Sequence, residues 1–247
     1  MSPLRKTYLL FIYAFLYIPL LVLITYSFIN GNDWSLHWYR VLANDSQLWE
    51  VVKNSLLLAI ISASICTALG SIFATTLARY RFLGNKIIST SFLIYIILPD
   101  LLIGISLLII FHTFSIPLGF GTLLIGHITF CLPFIIMMIN ARLHDINHHI
   151  LDAAKDLGAS DAVIYIRILC PMLLTALISA WMIGFTLSMD DVIISFFLSG
   201  PDFQVLPLYI YSLVRLGITP EINAICSIIF FLTFFIIIIA HRWIKKR

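Results

Sequence analysis

Three aspartates lie in stretches that are otherwise almost entirely apolar, and they are the residues best placed to do chemistry. Asp100 lies in the apolar run 90–115, and Asp190 and Asp191 are adjacent in the run 172–198. A carboxylate in such a run is energetically costly, so it usually binds a partner, a proton or a cation. Neither run contains a Lys or Arg. The acids therefore indicate fixed negative charge along a path for a cationic solute; a protonated or paired structural aspartate is the alternative for Asp100.

The expected depths of these acids follow from helix geometry. If a helix starts near Ile88, Asp100 lies roughly 18 Å along it at about 1.5 Å per residue, close to the middle of a membrane. By the same measure Asp190 lies about 27 Å beyond the start of its run, in the outer half. Pro99 removes a helix hydrogen bond and predicts a kink. Adjacent helical residues point about 100° apart, so we expect one of Asp190 and Asp191 to face the path and the other to pair or to cap a break.

Two tryptophans are candidates for stacking on a cationic group in the same path. Trp38 follows the first apolar run, and Trp181 lies in the run that carries Asp190. Indole is the strongest cation–π partner among side chains. Tryptophan beside an apolar run is also typical of an anchor at the membrane interface, and that alternative stays open for Trp38. His127, alone in its apolar run, is expected to bond to a neighbouring helix rather than to bind a ligand.

No metal or nucleotide site is expected in this chain. The polar cluster formed by His144, Asp145, His148 and His149 matches no standard spacing of metal ligands. The four cysteines are scattered singly and are expected to be small buried residues. The sequence contains no Gly-Lys pair, and hence no G-x4-G-K-[S/T] phosphate loop. Any ATP and Mg²⁺ that the process uses must therefore be bound by a partner.

The composition predicts what surrounds these residues. Of the 247 residues, 61% are hydrophobic and 11% are charged, and the mean hydropathy is +1.05. Such a chain has too few polar residues to cover a globular surface in water, so we predict an all-α integral membrane protein. A span needs about 20 apolar residues. Six transmembrane helices are predicted, at 8–29, 56–78, 90–115, 121–141, 172–198 and 222–244.

The positions of lysine and arginine predict the orientation of the helices. With the N-terminus inside, only Arg40, Lys53 and Arg215 of the 15 basic residues fall on the outer side. Cytoplasmic segments carry the excess of positive charge, so both termini and the segment 142–171 are predicted to be cytoplasmic. The first run is too long for the core of a cleaved signal peptide and is expected to remain as a span.

Three parts are expected along the chain. Residues 1–53 would form the first transmembrane helix and an outer loop. Residues 54–242 would form one permeation domain that contains the segment 142–171, and residues 243–247 would form a basic cytoplasmic tail.

The segment 142–171 is polar and is expected to fold into two short helices. Asn147 is a plausible N-cap of the first helix, which would end at Gly158. Ser160 is a plausible N-cap of the second helix, which would run through Ile168. Pro171 suits the first turn of the next span, where its missing N–H costs nothing. The residues expected to share one face of the first helix are Ile150, Leu151, Ala154 and Leu157. A helix this short is unstable alone in water, and we therefore expect it to pack against a partner.

The same segment resembles a known docking motif. Its pattern is similar to E-A-A-x3-G-x9-I-x-L-P, the EAA loop of permease subunits of bacterial ABC importers. Asp152 stands in place of the glutamate and Cys170 in place of the leucine. The resemblance implies that the loop docks onto a separate ATPase, which hydrolyses the ATP. The positions that carry it are Asp152, Ala153, Ala154, Gly158, Ile168 and Pro171.

Further segments extend the resemblance over nearly the whole chain. Residues 127–134, 185–191 and 206–212 resemble the corresponding parts of permeases from spermidine/putrescine importers. The resemblance implies a type I ABC importer permease fold of the MetI-like kind, in the bacterial inner membrane. It also implies four partner subunits: a PotB-type permease, two PotA-type ATPases and a PotD-type periplasmic binding protein.

The docking segment 142–171 ends about 20 residues before Asp190 and Asp191. We expect the segment and the following span to form one continuous element, which moves as a rigid lever when the ATPase dimer closes. Another small cationic solute stays open as the substrate. An ion-coupled secondary transporter would also use membrane acids, but it has no use for a docking loop. An intramembrane aspartyl protease is disfavoured, because Ile-Leu-Pro and Leu-Ser-Met precede the acids instead of a Gly-x-Gly context.

Overall fold

The computed structural model describes residues 3–80, 82–147, 149–217 and 220–245, whose regular elements are helices and one short hairpin, joined by turns and loops. His148 of the polar cluster and Lys246 and Arg247 of the basic tail lie outside this part of the chain. The first helices are α1 (Pro3–Tyr26), α2 (His37–Ala43), α3 (Ser46–Arg79), α4 (Asn85–Ile97), α5 (Asp100–Thr113), α6 (Phe120–Leu143) and α7 (His149–Asp156). They are followed by α8 (Asp161–Ile164), a π-helix (Tyr165–Leu169), α9 (Cys170–Met172), α10 (Leu174–Asp190), α11 (Ile193–Leu198), α12 (Leu206–Leu216) and α13 (Pro220–Lys245).

The chain forms two compact units, one of residues 1–50 with 209–247 and one of residues 51–208. In the first unit, α13 packs against α1 and α2. The hairpin pairs β1 (Ile29–Asn30) with β2 (Asp33–Trp34) in antiparallel register. Gly31 has φ +65°, a conformation that glycine adopts without the strain a side chain would add.

The second unit is built around α6, which packs against α4, α5, α10 and α11. Close approach of α6 and α10 depends on small residues. A Cβ added to Gly184 would lie 2.8 Å from Ile135 Cδ1, so the end of the Ile135 side chain would have to shift to admit a larger residue there. The buried face of α10 consists of small residues four apart, namely Ala176, Ala180, Gly184 and Ser188.

Three described helices are long and apolar enough to cross a membrane, and they are Thr7–Tyr26, Ser46–Arg79 and Phe120–Leu143. Two pairs of helices pass the same test only when they are taken together across a bend. The described residues therefore contain three to five candidate spans, whereas the sequence predicted six.

The kink predicted at Pro99 is confirmed, but the straight helix used to estimate the depth of Asp100 is wrong. Leu98 and Pro99 are extended, with ψ of 136° and 133°, and α5 leaves α4 at 107°. Proline has no N–H and disfavours helical backbone in the residue before it, which accounts for the break. Asp100 is the first residue of α5, so its depth does not follow from a rise along α4.

The element expected to connect loop and acids as one continuous helix is bent and interrupted. Helices Asp161–Met172 and Leu174–Asp190 meet at 78°. Backbone hydrogen bonds of 2.8 Å continue through the bend, from Leu173 N to Leu169 O and from Leu177 N to Leu173 O. A second interruption at Asp191 separates α10 from α11.

Candidate functional site

Asp191 lies at the break between α10 and α11, where its side chain is only 4% exposed. Its Oδ1 accepts a hydrogen bond from Ile194 N at 3.2 Å. Its Oδ2 accepts hydrogen bonds from Ser195 N at 2.8 Å and from Ser195 Oγ at 3.0 Å. The first amides of a helix lack partners within it, and a carboxylate satisfies them and favours the helix dipole. Asp191 is therefore a cap of α11, one of the two roles expected for the adjacent acids.

Asp190 is the last residue of α10, and its side chain is exposed. It makes no hydrogen bond or ion pair with another residue in the described ranges. Asp100, at the start of α5, is half-buried. Both carboxylates lie within electrostatic range of Asp191, and Asp190 is also within range of Asp100. The structure thus brings the three predicted acids to one region, where Asp190 is the most open.

His127 lies in α6 beside this region and bonds to both helices that flank the break. Its Nδ1 lies 2.7 Å from Ser188 Oγ of α10, and its Nε2 lies 3.2 Å from Ser195 Oγ of α11. The same Nε2 lies 3.6 Å from Asp191 Oδ2. The expectation that His127 bonds to neighbouring helices is confirmed.

The serine partners of His127 were missed by the sequence analysis, although a signal was present. Ser188, Asp191 and Ser195 are spaced by three and four residues within an apolar run, which is typical of one polar helical stripe. Such a stripe needs buried partners of its own. The lone histidine on another apolar run was a suitable one.

Trp181 lies on a different face of α10 from Asp190, and Trp38 is held by a contact within the first unit. Trp181 donates its Nε1–H to Ser64 Oγ at 3.0 Å and stacks on Phe185. Asp190 lies nine residues further along α10, which at about 100° per residue is the opposite face. Trp38 belongs to the first unit, where its Nε1–H donates to Ile29 O at 2.8 Å.

The segment 142–171 folds as its capping residues predicted. Asn147 Oδ1 accepts a hydrogen bond from His149 N at 3.0 Å at the start of α7. Gly158 ends the helix with φ +81° and donates its N–H to Lys155 O at 2.8 Å. Ser160 Oγ caps α8 by accepting from Val163 N. These caps are local interactions, which is why the sequence sufficed to find them.

The face predicted for α7 is wrong in part. Leu151 is buried and Ala154 is partly buried, and both pack against the core of the second unit. Ile150 and Leu157 are exposed instead, and Leu157 is 90% exposed. Packing onto this chain, rather than onto a partner, selects Leu151 and Ala154. Exposed apolar Leu157, next to exposed Ala153 and Gly158, is what remains for a partner.

The second helix of the segment differs from the expected regular helix through Ile168. A π-helix precedes Pro171, and Cys170 N bonds to Tyr165 O, five residues back. Proline cannot donate and its ring crowds the carbonyl four residues before it, so a wider turn relieves the clash. Pro171 therefore lies in α9, before the bend, and not in the first turn of α10.

Three contacts hold α8 and the π-helix to the last turns of α3 and to Tyr80, which follows it. Asp161 Oδ1 lies 2.8 Å from Arg79 Nη2, and Asp161 Oδ2 accepts the Tyr80 hydroxyl hydrogen at 2.8 Å. Tyr165 OH and Ser71 Oγ share a hydrogen bond. The Tyr80 hydroxyl, together with the Arg79 charge, lowers the pKa of the Asp161 carboxyl, so this contact is present at neutral pH and weakens only in strong acid.

Among the described residues, no group of three or more His, Cys, Asp or Glu is placed to hold a metal ion. Cys66 and Cys131 are buried free thiols, as expected for small core residues.

Residues 66–247 match the family model described as binding-protein-dependent transport system inner membrane component. The chain is 42% identical to the spermidine/putrescine transport system permease protein PotC of Escherichia coli (strain K12), over 98% of this chain and 94% of that protein. It is 37% identical to the putrescine transport system permease protein PotI of the same strain, over 92% and 86%. A subunit of a bacterial ABC transporter involved in the import of the acidic polysaccharide alginate has the same fold, with a TM-score of 0.77 at 17% identity over 98% and 96% of the two chains.

Proposed function

Because the chain belongs to the family of binding-protein-dependent transport system inner membrane components, we propose that it forms half of the pore of an ATP-driven polyamine importer. The observation that carries the substrate class is Asp190, an exposed carboxylate without a partner among the described residues, with Asp100 nearby. An unpaired carboxylate at an apolar helix end favours a cation. Spermidine and putrescine are the solutes named for PotC and PotI.

The pore has two halves in this proposal. A PotB-type permease supplies the second half, and a PotD-type periplasmic protein delivers the solute. All six apolar runs span the membrane, with both termini in the cytoplasm. The two bent helix pairs, α4 with α5 and α8–α9 with α10, are then broken spans whose interruptions are covered by protein or by a water-filled path.

ATP is hydrolysed by two PotA-type subunits, which also hold the Mg²⁺, because this chain has no phosphate-binding loop. The docking surface is the segment 142–171. Its exposed residues from the EAA-like pattern are Asp152, Ala153, Gly158 and Pro171, whereas Ala154 and Ile168 are partly buried and hold the segment in place. The small residues beside Leu157 add little bulk, so this surface can enter a groove on the ATPase.

The test is uptake by the complex reconstituted in lipid vesicles with the PotB-, PotA- and PotD-type proteins of the same bacterium. Labelled spermidine or putrescine should accumulate only when ATP is present on the ATPase side. Uptake driven by an ion gradient without ATP would contradict the proposal. Uptake of a different cation, with neither polyamine transported, would contradict polyamines as the substrate but would support the proposal of an ATP-driven importer.

Leu157→Asp should weaken association with the ATPase by about tenfold or more, because a charge would enter a partner's apolar groove. The measurement is the amount of ATPase that co-purifies with the permease pair. Leu83→Asp is the matched control, since Leu83 is as fully exposed but lies in the turn between α3 and α4. Equal retention of the ATPase by both variants would show that Leu157 does not dock.

Asp161→Asn should lower the uptake rate by about two- to fivefold without loss of assembly, because it removes an exposed ion pair of modest strength. Arg79→Gln should have a similar effect, and the double variant should be no worse than either single one. Additive losses would mean that the two residues act separately.

A further inference from the structure

The inference concerns the break between α10 and α11, and it deepens the proposed function, on which its reference to a cation path rests. We propose that His127 is a positioning residue of that path. By tying the end of α10 to α11 it keeps Asp191 in place as the cap of α11, and this holds the neighbouring Asp190 carboxylate in the open. Asp190 touches the solute in this proposal, and His127 acts through it.

The contacts of His127 reach both sides of the break. Nδ1 lies 2.7 Å from Ser188 Oγ, two residues before Asp190. Nε2 lies 3.2 Å from Ser195 Oγ, and Ser195 is the third residue of α11. The imidazole is 1% exposed, so water does not compete for these bonds. Both ring nitrogens are therefore occupied by the two elements that Asp191 separates.

One assignment of hydrogens satisfies every atom in the network. Ser62 Oγ of α3 donates to Ser188 Oγ at 3.1 Å. Ser188 Oγ then donates to His127 Nδ1, and His127 Nε2–H donates to Ser195 Oγ. Ser195 Oγ donates in turn to Asp191 Oδ2 at 3.0 Å. The hydrogen bonds run in one direction and end on a carboxylate, and such chains strengthen one another in a buried setting.

The backbone transmits this tie to Asp190. Asp191 is extended, with ψ 120°, so the helix ends at Asp190 and the backbone that follows the two acids is not helical. Without the imidazole, Ser188 and Ser195 lose their shared partner, and Asp191 is fixed to α11 alone. The residues of α10 that follow Ser188 can then turn relative to α11, and Asp190 turns with them, whereas Thr186 precedes the tie and stays in place.

The test is the reactivity of a thiol at position 190 in membrane vesicles that contain the assembled complex. Asp190→Cys is labelled with a cationic methanethiosulfonate reagent in three backgrounds: native, His127→Leu and His127→Gln. We expect His127→Leu to slow labelling by about fivefold or more, the range expected for losing a buried hydrogen-bond partner. His127→Gln, which keeps a donor and an acceptor, should restore most of the rate.

Thr186→Cys is the matched control, because Thr186 is exposed one turn earlier on the same face of α10. Its labelling rate should not change in any background, and labelling of the four native cysteines is subtracted throughout. Ser195→Ala is a milder second variant that should act in the same direction if His127→Leu assembles poorly. Unchanged labelling at 190 in both variants, or an equal loss at 186, would overturn the proposal. Labelling requires no transport, so this outcome is independent of whether polyamines are the solute.

Discussion

Asp190→Asn is expected to reduce ATP-dependent polyamine uptake by about 30-fold or more, the effect of removing one charge from a desolvated ion pair. The side chain keeps its size and loses its charge. Because Asp190 has no partner among the described residues, nothing in the fold depends on that charge. Assembly with the other permease and the ATPase should therefore be unchanged. Uptake is measured in reconstituted vesicles at saturating and at limiting concentrations of loaded binding protein.

The control for this prediction is the same substitution at Asp202, an exposed acid in the turn that follows α11. Asp202→Asn should leave uptake near the native rate. Equal rates for the native complex and Asp190→Asn would remove Asp190 from the path. Equal losses for the two variants would point to a general effect of surface charge on the encounter with the solute.

Asp191→Asn provides an informative contrast, because the neighbouring acid is part of the fold. An amide can replace only part of the three hydrogen bonds that the carboxylate accepts. A loss of about 1–3 kcal/mol in stability is expected for a buried group left without partners. A lower melting temperature in detergent, together with reduced uptake, would distinguish this structural loss from the specific loss at Asp190.

The sequence was sufficient where the determining interactions are local. Asn147, Gly158 and Ser160 cap their helices through groups two or three residues away. Pro99 breaks a helix through its own ring and missing N–H. Such features depend on a short stretch of chain, so residue types and spacing determine them.

The sequence was insufficient where distant elements decide. The 107° turn after α4 depends on how α4, α5 and α6 pack, and spacing within one run does not contain that information. The apolar face predicted for α7 was wrong in part for the same reason, because Leu151 packs into the core while Ile150 and Leu157 are exposed. The His127 network joins residues that are 61 and 68 positions apart, so its parts were visible but their meeting was not.

The bend at Leu173 changes how a signal from the ATPase would travel. A straight lever would move the acids as far as the loop moves. Under the proposed function, a 78° bend with continuous hydrogen bonds would instead convert a shift of the loop into a rotation or tilt of α10. The contacts of Asp161 with Tyr80 and of Tyr165 with Ser71 tie the segment to α3, so under the proposed function a shift of the segment would also reach α3.

Gly158→Arg is expected to abolish uptake by disrupting the docking surface. Gly158 has φ +81°, and most residues with a Cβ are strained there by about 1 kcal/mol. A Cβ would meet no atom of this chain within 4 Å, so the fold has room for a side chain and only a partner would be obstructed. Arginine adds its full length and charge to the surface beside Leu157. Loss of the ATPase on co-purification, with normal amounts of the permease pair in the membrane, is the measured outcome.

Two substitutions separate backbone strain from obstruction of the partner. Gly158→Asn should retain most of the ATPase and of uptake, because asparagine tolerates the left-handed conformation and is short. Gly158→Ala adds the backbone strain with almost no bulk. Its ATPase retention and uptake should fall between those of Gly158→Asn and Gly158→Arg only if the backbone conformation itself matters. Retention of ATPase and of uptake by Gly158→Arg would contradict docking at this position. Retained ATPase with lost uptake would instead place Gly158 in the transmission of movement from the ATPase to α10, since binding and coupling would then have been separated by one side chain.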